Sequence, residues 1–172
     1  GKQIALANKE SIVMAGEVIR PLLAEHGSRL IPVDSEHNAL FQCLEGREPS
    51  TIGRVYLTGS GGPLREMAVE ELPGLTVEQV LNHPKWKMGR KITVDSATLM
   101  NKGLELIEAR WLFNLPLDRI HTLIHPEALI HAMVEFTDGT LLARGQFVMV
   151  FIDPATGTPM KPEPEFRAVL ER

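Results

Sequence analysis

"QIALANKESIVMAGEVIRPLLAEHGSRLIPVDSEHN", Gln3 to Asn38, is the stretch that decides the fold. An apolar run, Ile4 to Ala7, reads as a buried strand and gives way to a polar turn at Asn8-Lys9. Apolar residues then recur at helical spacing at Ile12, Ala15, Ile19 and Leu22. Pro21 predicts a kink in that helix, and Gly27 is a good stop. "RLIPV" is the next short strand, so residues 1–33 read as β-α-β, the unit of parallel sheets. That strand runs directly into Asp34, Ser35, Glu36, His37 and Asn38. A polar cluster of this kind at the end of a buried strand asks for a reason.

The rest of the chain extends the pattern. "GRVYLTGSGG" is a strand entering a glycine turn, "KITVDSAT" a strand entering a helix, and "IHTLIHP" a further strand. The helix "LMNKGLELIEARWLF" places Leu104, Ile107 and Trp111 on one face. "MVEFTDGTLLA" reads as a hairpin turning at Asp138-Gly139, and "LNHPKWKMGR" reads as a loop. The end, "DPATGTPMKPEPEF", reads as a Pro-rich extended tail. The expected class is α/β (α+β): a β-α-β end of Rossmann type, then a mixed-sheet domain with helices on one face.

Bulk properties bound the function. The 172 residues are 44% hydrophobic and 23% charged with net charge −4, which supplies no general electrostatic reason to bind nucleic acid or an anionic membrane. The single cysteine, Cys43, rules out an internal disulfide or a cysteine metal cluster and suits a reducing cytoplasm. No stretch reaches the roughly 20 apolar residues of a membrane span, and no signal peptide opens the chain. The chain lacks an initiator Met and begins almost inside a strand, so it reads as an excised or truncated piece.

Three polar clusters stand at expected strand ends: Asp34-Ser35-Glu36, Thr58 to Gly62, and Asp95-Ser96. Ligands of open α/β sheets bind beyond the carboxyl ends of strands. Asp34 and Glu36, two apart, share a side in an extended segment, and Glu105 on the later helix can approach them. Three carboxylates without cysteine suit Mg²⁺ or Mn²⁺. The plainer alternative is that Asp34 and Glu36 cap a helix near Asn38 while Glu105 faces water.

"TGSGG" lets backbone N–H groups and Ser60 approach an anion, and "SATLMNKG" sets Ser96, Asn101 and Lys102 around a helix start. A tight turn plus an ordinary cap explains the same residues. His83, Trp86 and Met88 in a polar loop suggest either a lid over a substrate or packing on a neighbouring domain. His125 and His131 are six apart, the wrong spacing for two ligands on one helical face, and structural roles suit both.

Taken together, "LANKES", "PVDSEHNA", "LTGSGGP", "HPKWKMGRKITVDSATLMNKGLE" and "IEARWLF" resemble the 1-deoxy-D-xylulose 5-phosphate reductoisomerase family from about Lys2 to about Leu142. The resemblance implies an NADPH-dependent oxidoreductase and isomerase of the non-mevalonate isoprenoid pathway, cytoplasmic and homodimeric, with one Mn²⁺ or Mg²⁺ and a sugar-phosphate substrate. It implies metal carboxylates at Asp34, Glu36 and Glu105. It implies substrate contacts at Ser35, Ser60, Trp86, Ser96, Asn101 and Lys102, and catalytic roles for Lys9, His83 and His131. Asn8, Lys9, Glu10, Met88 and Gly89 are implied to border the cofactor, with the lid spanning His83 to Met88. His37 falls in the metal motif without being a ligand.

The same resemblance divides the chain into a remnant of the NADPH-binding domain (1–33), a metal- and substrate-binding catalytic domain (34–143), and a strand and Pro-rich tail foreign to the family (144–172). The tail faintly resembles the end of hotdog-fold acyl-CoA thioesterases, without that fold's core helix or acidic catalytic residue. The expectation is a family enzyme whose 172 residues alone are inactive, because no glycine-rich dinucleotide turn is present. The competing expectation is a non-catalytic sugar-phosphate-binding or assembly module derived from that enzyme.

Overall fold

The computed structural model describes residues 1–83 and 88–137, together with the backbone of 151–152 and 159–160. The chain divides into two units, Gly1–Gly139 and Thr140–Arg172.

In the first unit, strand β1 (Gln3–Leu6) pairs in parallel with β2 (Arg29–Pro32) across helix α1 (Lys9–Glu25). Asn8 starts α1 by accepting the Ser11 amide at 2.9 Å. The helix ends on a Schellman pair: Ser28 N–H donates to Leu23 O and Gly27 N–H to Ala24 O, with Gly27 at φ +57°. The expected β-α-β is therefore present, with three differences. Strand β1 is largely exposed, Ile4 at 42%, because α1 and the strands do not enclose it. Leu22 is likewise exposed, although Ile12 is fully buried.

The break in α1 falls at Ala15 (φ −126°, ψ 17°) and not at Pro21. Beside it, Gly16 presses on Trp111. A Cβ there would stand 2.3 Å from the indole Cγ, so only glycine allows this approach of α1 to the later helix that carries Trp111.

Helix α2 (Ser35–Leu44) follows β2 and packs with α5 (Met100–Phe113) over a three-stranded sheet of order β4-β3-β5. Strand β3 (Ile52–Gly59) is central, parallel to β4 (Ile120–Ile124) and antiparallel to β5 (Ala132–Phe136). Its Ile52, Val55 and Leu57 meet Leu40 of α2, Ala109 of α5, Leu115 and Ile120 in one apolar core. This is the mixed sheet with helices on one face. A short helix α3 (Val77–Leu81) precedes the loop at 82–83 and 88–89.

"KITVDSAT" is not a strand. Residues Arg90–Ala97 form helix α4, in spite of the β-branched Ile92-Thr93-Val94. Lys91 pairs with Asp95 one turn later at 2.6 Å, Thr93 Oγ1 donates back to Gly89 O, and Thr93 and Ala97 bury one face. Ser96 consequently lies in the last turn of α4, and Leu99, at φ +59°, takes the cap position of α5.

Helix α5 also differs from its apolar pattern. Its buried residues are Lys102, Glu105, Glu108 and Ala109, whereas Ile107 is exposed. Charged groups occupy the inward face because they serve a polar cluster. The hairpin turn at Asp138-Gly139 and its second arm lie outside the described residues. In the second unit, β6 (Phe151–Ile152) pairs antiparallel with β7 (Pro159–Met160), a two-residue ladder whose second arm lies inside the segment expected to be an extended tail.

Candidate functional site

The carboxyl ends of β2 and β3 open on one cavity of about 340 Å³. Its walls include Lys9, Asp34, Ser35 and Glu36 on one side and Ser60, Ser96, Asn101, Lys102 and Glu105 on another. His83, Met88 and His131 complete the rim. Asn8, Glu10 and Gly89 are not among its walls. Asn8 caps α1, and Glu10 pairs with Lys91 at 2.6 Å, an exposed bond that lowers the Glu10 carboxyl below its usual value. Trp86 lies outside the described residues.

Asp34 does two jobs. As the cap of α2 its Oδ1 accepts the Glu36 amide at 3.2 Å and the His37 amide at 3.5 Å, so the helix begins at Ser35 instead of near Asn38. The capped turn also brings one oxygen each of Asp34, Glu36 and Glu105 within 4.8 Å of one another. The carboxylate pair is thus set by a helical first turn and not by an extended segment.

Cations and donors crowd the same oxygens. Lys9 Nζ lies 2.6 Å from Asp34 Oδ2 and 3.1 Å from Glu105 Oε1. Lys102 donates to Glu105 Oε2 and to the Thr58 carbonyl, and Asn101 Nδ2 donates to Glu105 Oε1 at 2.5 Å. Glu36 accepts from Ser35 Oγ at 2.6 Å and from His131 Nδ1 at 3.0 Å. Burial opposes the charge on Lys9, but Glu105 and Asp34 outweigh it and raise the ammonium above its usual value.

Behind the cavity, His37 is fully buried. Its Nε2 lies 2.9 Å from the Glu105 carbonyl, which can only accept, so Nε2 carries a proton. Nδ1 faces Asp34 Oδ1 at 3.0 Å and Glu108 Oε2 at 3.4 Å. Burial pushes the imidazole down, yet the Asp34 hydrogen bond and the Glu108 charge prevail and raise it. Burial likewise works against the Asp34 carboxylate, while His37 and Lys9 hold it well below the usual carboxylate range. Glu108 is pushed up to about 7, first by burial, against the pull of His37. Sequence reading missed Glu108. Its only signal is spacing: three residues after Glu105, on the face that also holds Lys102.

Another side of the cavity is built around the glycine turn. Gly62, at φ +66°, lies so close to α4 that a Cβ would stand 2.6 Å from Ser96 O. This contact seats Ser60 and Ser96 on the same cavity. Ser60 Oγ is 3.3 Å from His83 Nε2, and burial lowers the His83 imidazole below its usual value.

The family described as the 1-deoxy-D-xylulose 5-phosphate reductoisomerase C-terminal domain matches residues 30–113. Over this region the chain is similar to the 1-deoxy-D-xylulose 5-phosphate reductoisomerases. The reductoisomerase of Chlamydia trachomatis is 61% identical over 142 residues, 83% of this chain and 38% of that protein. That of Chloroherpeton thalassium is 56% identical over 144 residues, 84% of this chain and 37% of that protein. The chain thus spans under two-fifths of the length of the curated relatives it matches.

A crystal structure of DOX-P reductoisomerase in complex with NADPH, fosmidomycin and magnesium superposes with a TM-score of 0.75 at 44% identity, over 81% of this chain and 37% of that one. The Zymomonas mobilis enzyme in complex with NADPH gives 0.73 at 48% identity, over 80% and 35%. Among the described residues no helix is long and apolar enough to cross a membrane.

Proposed function

We propose that residues 34–143 form the metal- and substrate-binding part of a cytoplasmic 1-deoxy-D-xylulose 5-phosphate reductoisomerase, which makes 2-C-methyl-D-erythritol 4-phosphate with NADPH for isoprenoid precursors. The observation that carries this reading is the convergence of Asp34, Glu36 and Glu105 oxygens within 4.8 Å, on the cavity that Ser60, Ser96, Asn101 and Lys102 also line. An all-oxygen donor set of three carboxylates fits a hard divalent ion, and a small inward rotation would bring it to Mg²⁺ or Mn²⁺ ligand spacing. An ion held there would polarise the carbonyl and hydroxyl oxygens of the sugar.

The chain's own groups do the rest. Ser60, Ser96, Asn101 and Lys102 supply the hydroxyl, amide and ammonium donors that suit a phosphate, Ser60 and Ser96 from the glycine-turn side and Asn101 and Lys102 from beside Glu105. His131 orients Glu36, and His37 orients Asp34 through its side chain and Glu105 through its backbone. Met88 and His83 border the opening and restrict water. A crystal grown with Mn²⁺ and inorganic phosphate tests the arrangement. Anomalous scattering should place one Mn²⁺ among the three carboxylates, and phosphate should lie against Ser96 and Lys102. Manganese elsewhere on the surface, with both subsites bare, would remove the reading.

A further inference from the structure

Lys9 has no donor to spare. Its Nζ lies 2.6 Å from Asp34 Oδ2, 3.0 Å from Asn101 Oδ1 and 3.1 Å from Glu105 Oε1. An ammonium group carries three N–H bonds, and all three are directed into the cluster. The residue is only 8% exposed, so its stem is enclosed as well.

Two of these three acceptors belong to the carboxylate set that fits a divalent ion. A lone pair given to an ammonium proton is not available to a metal, and two cations sharing one carboxylate repel strongly in a site shielded from water. The third partner offers no independent anchor, because Asn101 is itself tied to Glu105 Oε1 at 2.5 Å. Lys102 is placed differently. It also bonds the Thr58 carbonyl of β3, so it keeps a backbone partner if Glu105 turns. Lys9 is the cation whose position depends on the carboxylates.

We propose that Lys9 is a two-position residue, neutralising Asp34 and Glu105 until a divalent ion takes their oxygens, and then turning into the cavity to donate to an anionic oxygen of the substrate. The exchange rests on the metal reading above and extends it in one respect: the ion prepares the site for the substrate by releasing a donor as well as by binding oxygen itself. Metal and substrate anion then bind with positive coupling, the ion first.

The test labels lysines of the 172-residue protein by reductive methylation, with and without Mg²⁺, and follows each site by mass spectrometry. Mg²⁺ should speed labelling of Lys9 several-fold and leave the exposed Lys2 unchanged. In parallel, calorimetry should show Lys9→Met binding Mn²⁺ about tenfold tighter than wild type, since an internal competitor is gone. Lys9→Gln serves if the Met variant does not fold, and labelling of wild type needs no variant. If wild type binds Mn²⁺ while Lys9 labelling is unchanged or slowed, the exchange is wrong and the metal site stands. If wild type binds no Mn²⁺, both fall.

Discussion

His37 Nδ1 lies 3.0 Å from Asp34 Oδ1, and the other nitrogen of the same ring lies 2.9 Å from the Glu105 carbonyl, so one buried imidazolium joins the cap of α2 to the inward face of α5. Replacing it strands two acceptors and leaves Asp34 and Glu108 without their shared cation. His37→Phe should cost about 3 kcal/mol in urea unfolding, the scale for breaking a buried charged pair. His37→Gln, which retains a donor, should lose less stability yet bind Mn²⁺ about tenfold more weakly, as expected when a group that orients ligands is altered. Equal Mn²⁺ affinity would show that the ring only fills space.

The same cluster sets a pH dependence with two signs. Asp34 is held below the unfolded carboxylate value, so its contribution is present above that value and is lost as pH falls through the lower folded one. Glu108 and His37 are both raised, so theirs is present at low pH and is lost as pH climbs. For Glu108 the window runs from the unfolded value of 4.5 to about 7, worth at most about 3 kcal/mol. Unfolding free energy should therefore fall between about pH 5 and 7 in wild type. In Glu108→Gln that descent should flatten. An identical slope in both proteins would show that Glu108 ionises normally.

Gly16 offers a packing test. A Cβ there would overlap the Trp111 ring, 2.3 Å from Cγ, so the whole indole would have to move to make room. Gly16→Ala should be destabilising by about 1–3 kcal/mol through overpacking, in spite of alanine's better helix propensity. Trp111→Leu should restore part of that loss in the double variant. If Gly16→Ala alone stabilises the protein, the approach of α1 to α5 is looser than described.

Strands β4 and β5 form the two edges of the main sheet among the described residues, and Ile124 of β4, Met133 of β5 and Leu129 and Ile130 between them in sequence are exposed. Apolar groups beside open edges favour a partner, and a homodimer formed through this sheet is the proposed assembly. Light scattering should return twice the chain mass, and Met133→Lys with Ile130→Lys should return the single mass. A monomer at high protein concentration would contradict the assembly.

What was legible follows from where the physics is local. Gln3–Pro32 was readable because a capped amphipathic helix between two short apolar runs has few alternatives. The polar ends of β2 and β3 stood out against apolar runs, and they do line the cavity. Residues 90–97 were misread because Ile92-Thr93-Val94 resembles a strand locally, whereas the helix is held by the Lys91–Asp95 pair and by Glu10 from another element. Apolar periodicity pointed to the wrong face of α5, since that helix buries Lys102, Glu105 and Glu108 together. Burial of charge depends on partners far along the chain, Lys9 and His37, which no window of α5 contains.

The proposed function rests on Asp34, Glu36 and Glu105 holding one divalent ion. Glu36 is the cleanest probe, because among the described residues its carboxylate bonds Ser35 and His131, while Glu105 is tied to two lysines. Titration calorimetry with Mn²⁺ should show a single site in wild type and at least about tenfold weaker binding in Glu36→Gln, with the metal-free unfolding midpoint unchanged. Equal Mn²⁺ affinity in the two proteins would contradict the account.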